Sequence, residues 1–329
     1  MTIRNVATVA LAAVSGLIVS SVLGADLPPT SVILASSLDP SIFGRAVVLS
    51  ASVSPPLSSG RVTFYDGVNV LGISALSNGH ASLSTILLAS GSRSIRAFYS
   101  GDATHAASTS EPFTQNVNAV PADSFAPGAV YPGSAFPTAV ALGDFNNDGR
   151  LDIAIGNGSS PASLSIRLGN GDGTFQAPVD YPAGSYGAPS IAVGDFNGDG
   201  KADVAVAEIV PDASTVNAGA IAIFLGNGDG TFQQGINYAT GSVPLSVATG
   251  DFNADGIADL ATANRNDGSI SVLLGNRDGT FQKRVDYPGG AAPQSIVVGD
   301  FNNDGKVDLA VVDSDSFNIF LGRRRKLSA

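Results

Sequence analysis

Four copies of one acidic nine-residue segment carry the clearest chemical signal in this sequence. Each copy reads Asp-Phe-Asn-x-Asp-Gly-x-x-Asp, and the copies begin at Asp144, Asp195, Asp251 and Asp300. Oxygen-bearing side chains occupy positions 1, 3, 5 and 9, the carbonyl of position 7 can add another oxygen, and the glycine at position 6 permits a sharp turn. A hard cation such as Ca²⁺ takes six to eight oxygen ligands at about 2.3–2.6 Å. The pattern therefore predicts one calcium site in each loop.

The predicted ligands are three carboxylates, one Asn side chain and one backbone carbonyl per loop. Three carboxylates this close repel one another unless a cation lies between them. The alternative interpretation is four ordinary Asn/Asp/Gly turns without a metal. In chain order the predicted ligands are Asp144, Asn146, Asp148, Arg150 and Asp152; Asp195, Asn197, Asp199, Lys201 and Asp203; Asp251, Asn253, Asp255, Ile257 and Asp259; and Asp300, Asn302, Asp304, Lys306 and Asp308.

The residues that flank the loops decide between the known kinds of calcium loop. An EF-hand requires a bidentate Glu at position 12 and a helix on each side, but position 12 here is Ile155, Val206, Thr262 or Val311. Short β-branched runs stand on both sides of each loop, as in Asp-Val-Ala-Val after the second loop. Such runs predict that each loop joins two strands of a hairpin.

Composition limits the class of protein. The chain has 329 residues, a net charge of −11, 14% charged and 44% apolar residues, 39 Gly, 18 Pro and no Cys. The abundance of Gly and Pro indicates an all-β protein with many turns, and the absence of Cys excludes disulfides. The negative charge argues against nucleic acid and anionic membranes as partners.

Residues 1–25 have the pattern of a secretory signal. Arg4 supplies the positive charge, residues 6–23 supply the apolar segment, and Gly24-Ala25 lie in a zone of small residues where cleavage is expected. The sequence thus predicts a secreted or cell-surface protein that has no membrane contact after cleavage. An uncleaved anchor is the alternative, because the apolar segment is just long enough to span a bilayer.

Residues 26–118 show short alternating strands separated by turn signals, which predicts a β-sandwich. The expected strands include 31–34, 46–51, 61–65, 81–84 and 94–99. The wording Val-Thr-Phe-Tyr-Asp-Gly at 62–67 and Ala-Phe-Tyr-Ser-Gly-Asp at 97–102 resembles bacterial Ig-like repeat domains, which implies a spacer or stalk. Residues 119–123 are predicted to be a linker.

Residues 124–322 are repetitive, with loop starts 51, 56 and 49 residues apart. A second signature, Leu-Gly-Asn-x-Asp-Gly-Thr-Phe, recurs at 168–175, 225–232 and 274–281 and predicts another hairpin. Each unit then contains four short strands, which is a propeller blade. These motifs resemble the FG-GAP or VCBS-type repeats of integrin α-like β-propellers. The resemblance implies about four structural Ca²⁺ ions and recognition of a ligand by the propeller surface.

Closure of the propeller is left open by the sequence. The spacing from Phe125 to Tyr131 matches the fourth strand of the later blades, so this segment is expected to be a lone fourth strand, which would complete the last blade if the ring closes. A closed four-bladed ring and part of a larger ring are both compatible with four repeats. The basic tail, residues 323–329, is predicted to be solvated.

The residues favour binding over catalysis. Without Cys, and with both His residues in the sandwich, the repeats contain no evident nucleophile–base pair. Loop length varies chiefly between the second and third strands, on the face opposite the calcium loops, so ligand contact is expected at 208–219, Arg265–Asp267 and 313–315.

The chain is predicted to be a non-catalytic, calcium-stabilised adhesion module for an extracellular protein or polysaccharide. A calcium-dependent lectin or sugar-acting enzyme and a fragment of a larger surface protein are the alternatives. Oligomeric state is not predicted.

Overall fold

The computed structural model describes residues 27–56, 59–122, 124, 128–132, 136–184, 186–210 and 218–323. The predicted signal segment and the tail beyond Arg323 lie outside these residues. The described part of the chain consists of strands and connections, and the all-β prediction is confirmed. No helix that could cross a membrane occurs in these ranges.

Nine strands form the N-terminal sandwich in the described part of residues 27–118. One sheet has the order β1-β3-β6, and the other has the order β2-β9-β7-β4-β5 with β8 beside β7. The five strand segments predicted from the sequence coincide with strands, except that Ala46 lies just before β3. The strands are β1 (Ser31–Ser36), β2 (Ser41–Ile42), β3 (Val47–Ser54), β4 (Arg61–Asp66), β5 (Asn69–Ala75), β6 (His80–Thr85), β7 (Gly91–Tyr99), β8 (Ser108–Thr109) and β9 (Phe113–Asn118).

The sandwich core follows from residue alternation along its strands. In β3, Val47, Leu49, Ala51 and Val53 are buried while the residues between them face outward, as expected where successive side chains point to opposite faces. These residues pack against Phe64 and Tyr99 of the second sheet. The sequence of each strand thus selects the face that enters the core.

The repeats form four antiparallel sheets, which we call blades 1 to 4. Blades 1 to 3 have four strands each in sequential order, and blade 4 has three among the described residues. Their strands are β10 (Pro137–Gly143), β11 (Asp152–Asn157), β12 (Ser163–Arg167) and β13 (Val179–Pro182); β14 (Tyr186–Gly194), β15 (Asp203–Val210), β16 (Ala218–Phe224) and β17 (Ile236–Thr240); β18 (Pro244–Gly250), β19 (Asp259–Asn264), β20 (Ser269–Leu273) and β21 (Val285–Pro288); and β22 (Ser295–Gly299), β23 (Asp308–Val312) and β24 (Phe317–Phe320).

Three hydrophobic cores lie between consecutive blades. Strands β15 and β19 are buried on both faces because a neighbouring blade covers each side. Small residues such as Ala205, Ala207, Ala261 and Ala263 occupy these strands, which lets adjacent sheets approach closely. The repeats therefore stack as successive layers, each blade packing on the next.

The structure corrects the expectation for the segment that ends at Tyr131. Residues 125–127 lie outside the described residues, and 128–132 form no strand. Strand β24 pairs with β23, and no further strand pairs with it among the described residues. Tyr131 nevertheless packs edge-on against Phe175 with 5.7 Å between ring centroids, as Tyr181 does against Phe232. The predicted register of Tyr131 is therefore right, whereas the described residues do not show a closed four-bladed ring.

Candidate metal centres

Each acidic loop is held by hydrogen bonds from its own backbone to the Asp at position 1. In the first loop, Oδ1 of Asp144 accepts the N–H of Asp148 at 3.1 Å and Oδ2 accepts the N–H of Gly149 at 2.9 Å. The other three loops repeat both bonds. The shared pattern gives four loops of one geometry, as the repeated sequence predicts.

The Asp at position 9 ties each loop to two strands. Oδ2 of Asp203 accepts the N–H of Phe196 at 2.8 Å, and Oδ1 accepts the N–H of Gly226, two residues beyond β16, at 2.8 Å. The equivalent residues Asp152, Asp259 and Asp308 make the same pair of bonds, and all four have no exposed surface. The Asp at position 9 therefore stabilises the strand arrangement of each blade as well as the loop.

The turn conformation explains the glycine at position 6. Gly149, Gly200, Gly256 and Gly305 all have φ between 76° and 83°, in the left-handed region that glycine adopts without steric cost. Position 4 is also left-handed, at Ala254 with φ 59° for example.

Burial and crowding of carboxylates raise several pKa values in the loops. Burial is the largest cause, and it raises the pKa of Asp195 to about 6, of Asp203 to about 7 and of Asp259 to about 8. Neighbouring loop carboxylates raise these values further, while the backbone N–H donors act in the opposite direction. The middle two loops therefore hold negative charge at a cost that a bound cation would offset.

The donor set suits a hard cation, although the carboxylates do not converge on one point. In the part of the chain that the structure describes, no three Asp, Glu, His or Cys side chains gather as a metal cluster. The loop carboxylates accept backbone N–H bonds instead, and each carboxylate oxygen retains further acceptor capacity. Three carboxylates and an Asn oxygen per loop, with the carbonyl of Arg150, Lys201, Ile257 or Lys306, match the ligand chemistry of Ca²⁺. These residues would hold the ion.

The N-terminal sandwich covers the second and third loops, a contact that the sequence analysis did not predict. Tyr65 Oη donates a hydrogen bond to Asp251 Oδ2 at 2.7 Å, and Thr63 Oγ1 donates one to the carbonyl of Gly256 at 2.8 Å. Arg61 donates to the carbonyls of Asn197, at 3.2 Å, and Gly198. All three donors lie on β4, whose side chains are buried or half-buried on both faces. Strand alternation could have indicated the outward direction of these side chains, but not what they contact.

On the opposite end of the blades, some of the residues expected to contact a ligand are exposed and others are buried. Arg265, Asn266 and Asp267 are exposed, and residues 211–217 lie outside the described residues. Glu208 is wholly buried inside β15, and Asp313 is buried and accepts the N–H groups of Asp315 and Ser316. The prediction that Glu208 and Asp313 contact a ligand directly is therefore wrong, because both side chains are buried.

Comparisons with known proteins agree with the two-part architecture. A model described as a bacterial Ig-like domain (group 3) matches residues 34–118, and one described as an FG-GAP-like repeat matches 144–206, 210–262 and 251–311. None of the curated proteins matches the chain.

Similar solved structures share low sequence identity with this chain. One is a protein of unknown function from Desulfotomaculum acetoxidans, with 14% identity, a TM-score of 0.40 and coverage of 83% of this chain and 72% of that one. Another is the Tc holotoxin pore of Photorhabdus luminescens, with 16% identity, a TM-score of 0.30 and coverage of 88% of this chain and 14% of that one.

Proposed function

Because the chain belongs to the FG-GAP-like repeat proteins and carries a bacterial Ig-like domain ahead of its repeats, we propose that it is a secreted, non-catalytic recognition module. It recognises an extracellular protein or polysaccharide, and Ca²⁺ bound in its four acidic loops stabilises the blades. The ligand contacts the blade ends opposite these loops.

The single observation that carries this proposal is the position of the Ig-like domain. It lies on the second and third acidic loops, where Tyr65 and Thr63 bond Asp251 and Gly256. That end of the central blades is thus occupied within the chain. The opposite end presents the exposed connection Arg265–Asp267, and exposed loops on a rigid scaffold are common binding sites.

A structural role for calcium fits the loop chemistry. The ion would neutralise carboxylates whose pKa values are raised by burial and by one another, and binding to the folded state alone stabilises it by mass action. Without a bidentate Glu, the expected affinity is that of extracellular modules, about 10⁻⁴–10⁻³ M.

A binding role rather than catalysis is supported by Glu208, the one carboxyl outside the acidic loops whose pKa is raised among the described residues. Burial raises the pKa of Glu208 to about 7, a value that would suit a general acid. Its side chain has no exposed surface, so it does not reach a substrate.

The test is binding of the full chain to immobilised panels of polysaccharides and extracellular proteins, with Arg265→Ala/Asn266→Ala as the variant. Both side chains are exposed, whereas Asp267 is left unchanged because it accepts hydrogen bonds from Ser242 and Ser269. We expect at least a tenfold loss of affinity for the panel member bound, corresponding to about 1.4 kcal/mol. Arg45→Ala, at an exposed position of the Ig-like domain, should bind as the parent does.

Calcium titration of the same proteins separates the two parts of the proposal. The loop variant should bind calcium normally, so a lost ligand with retained calcium supports recognition by this end. Unchanged attachment of the variant would exclude this end as the binding surface. Absence of calcium binding at millimolar concentration would exclude the metal assignment, and hydrolytic activity in the purified chain would exclude the non-catalytic role.

A further inference from the structure

The two ends of the blade array expose surfaces whose counterparts at the joints between neighbouring blades are buried or half-buried. At the first end, which we call the leading face, Val140 is 68% exposed, whereas at the same repeat position Ile191 is half-buried and Val247 and Ile296 are 6% and 4% exposed. At the last end, the trailing face, Phe317 is 72% exposed, whereas its counterparts Leu164, Ile221 and Ile270 are at most 1% exposed. Each face is thus half of an inter-blade joint.

The internal joints show which partners the two faces lack. Ring edges meet between Phe145 and Phe232 at 5.4 Å and between Phe196 and Phe281 at 5.7 Å, from one blade to the next. The corresponding residues at the ends are Phe301 on the trailing face, which is 48% exposed, and Phe175 on the leading face, which is only half-buried. The trailing Phe and the leading Phe are therefore the two members of a pair that does not form within this structure.

A hydrogen bond between the first strands of neighbouring blades shows the same pattern: it forms inside the array, and its two members stay apart at the two ends. Ser190 Oγ accepts the N–H of Val247 at 3.1 Å, and Ser246 Oγ accepts the N–H of Ile296 at 3.2 Å. Ser295, exposed in β22, is the next serine in this series, and the matching N–H belongs to Val140. The trailing face carries the acceptor and the leading face carries the donor.

The leading face also carries a residue in the register of a fourth strand, the strand that blade 4 does not show among the described residues. Tyr181 and Tyr238 come from fourth strands and pack on Phe232 and Phe281 of the following blade. Tyr131 packs on Phe175 in the same manner and lies beside Arg167. In blades 1 to 3 this Tyr pairs with Leu164, Ile221 or Ile270 of the third strand. By the same register, Tyr131 would pair with Phe317, the equivalent third-strand residue of blade 4.

We propose that the trailing face of one chain binds the leading face of a second copy of the same chain, head to tail. The residues 128–132 of the second copy then run beside β24 and supply the fourth strand of blade 4. Within one copy the two faces do not meet, since Val140 and Phe317 are both exposed. Heterologous contacts of this kind form a closed ring when the rotation closes, and two copies joined at both faces bring four and four blades into one ring. Such a ring covers both end faces and gives blade 4 a fourth strand, so that only short, protected blade edges remain.

The first measurement is the mass of the full chain by light scattering across a concentration series. We expect twice the monomer mass for the parent and the monomer mass for Phe317→Asp, because the Asp places a charge in the joint. The side chain is mostly exposed in a single copy, so the variant should retain its circular dichroism spectrum. Ile33→Asp, at a 70% exposed position of the Ig-like domain, is the matched control and should retain the doubled mass.

The second measurement uses cysteine pairs, since the chain has no Cys. Asn318 and Val130 occupy the positions of Ser271 and Asp286, which are paired across strands and bonded at 2.7 Å; cross-strand Cα distances of about 4.5–5.5 Å suit a disulfide. Mixing Asn318→Cys protein with Val130→Cys protein under mild oxidation should give a covalent dimer. Mixing Ser82→Cys, on the sandwich, with Val130→Cys should give none.

The outcomes distinguish a second copy of the chain from the same chain as the partner of each face. A covalent dimer in the first mixture, together with a doubled mass that Phe317→Asp halves, supports the second copy. A disulfide within one chain of monomer mass, in the double variant, shows closure of a single chain and overturns the proposal. A monomer without any cross-link overturns it as well.

Discussion

At the scale of single residues, one position near the end of each second strand sets the polar interior of its blade. Blades 1 and 3 have Asn here, and Asn264 donates to Ser271, whose hydroxyl donates to Asp286 at 2.7 Å. Blade 2 has Ala222 and Asn237 at the positions of that Ser and Asp. Its longer Glu208 extends to Asn237, whose amide donates to Oε2 at 3.2 Å. The other oxygen of Glu208 is buried without a hydrogen-bond partner within the described residues.

Replacing Glu208 by Gln should stabilise the chain at neutral pH and leave it unchanged in acid. Burial, partly offset by Asn237, raises the pKa of Glu208 from 4.5 to about 7 in the folded state. Between these values the folded state keeps a proton that the unfolded state releases, so stability falls as pH rises. Above about pH 7 the full penalty is on the order of 3 kcal/mol.

Chemical denaturation of parent and variant with calcium present checks this prediction. The difference in unfolding free energy should be near zero at about pH 4 and largest at about pH 8. Asn264→Gln, at the same position of blade 3, lacks a carboxyl and should show no such pH-dependent gain. A constant difference at all pH values would mean that Glu208 is not the titrating group.

Position 4 of the acidic loops offers a second residue-scale prediction. Ala254 has φ 59°, in a conformation that Gly198 adopts freely in the second loop and that Asn303 tolerates in the fourth. A left-handed non-glycine residue costs roughly 1–2 kcal/mol, and the extra chain entropy of glycine offsets about 0.5–1 kcal/mol of the gain. Ala254→Gly should therefore stabilise the chain by roughly 0.5–1 kcal/mol in thermal unfolding. Asn303→Gly is the control and should gain less, and an equal gain would argue against strain at Ala254.

Features that repeat along the chain can be predicted from the sequence, whereas contacts that depend on which surfaces meet cannot. The shared geometry of the four loops, the glycine at position 6 and the register of Tyr131 follow from spacing that recurs along the chain, whereas the metal ligands stay a prediction. The variable length of the connection between the second and third strands predicts an exposed Glu208, but β15 extends to Val210 and keeps it inside. The contacts of Thr63 and Tyr65 depend on docking between two domains, which no local pattern encodes.

At the scale of elements, each acidic loop connects two strands of its blade and also reaches the third. The Asp at position 9 bonds the loop through the Phe N–H and the third strand through the Gly N–H, as Asp259 does with Phe252 and Gly275. A cation in the loop would thus stabilise three strands together. Loop 3 differs from loop 1 in that the Ig-like domain rests on it.

Removing one carboxylate from loop 1 or loop 3 tests this arrangement. Asp148→Ala and Asp255→Ala should each remove one of the roughly four proposed Ca²⁺ ions, counted by calorimetry, because position 5 is a proposed ligand in both loops. Only Asp255→Ala should also increase protease cleavage between the domains, since its loop accepts the bonds of Tyr65 and Thr63. Unchanged stoichiometry in both variants would contradict the assigned ligands, and equal cleavage would contradict the link to the Ig-like domain.

At the scale of the whole molecule, the two domains share a polar contact surface at the acidic loops. The hydroxyl of Tyr65 is buried against Asp251, and burial together with that carboxylate raises its pKa. Asp251 Oδ2 also accepts the N–H of Gly256. The same carboxylate thus belongs to the predicted metal ligands and to the domain contact. Occupancy of loop 3 and docking of the Ig-like domain should therefore depend on each other.

Tyr65→Phe should loosen the domain contact while both domains stay folded. The ring keeps its packing, and the loss is one hydrogen bond to a charged group, about 1.5–3 kcal/mol. Small-angle scattering of the calcium-bound chain should show a larger radius of gyration, and calorimetry should show weaker calcium binding at one site. Tyr99→Phe removes a hydroxyl that bonds Ser59 within the sandwich, so it should lower sandwich stability without either effect. If Tyr65→Phe and Tyr99→Phe behave alike in both measurements, the Ig-like domain and the third loop are not coupled through Asp251.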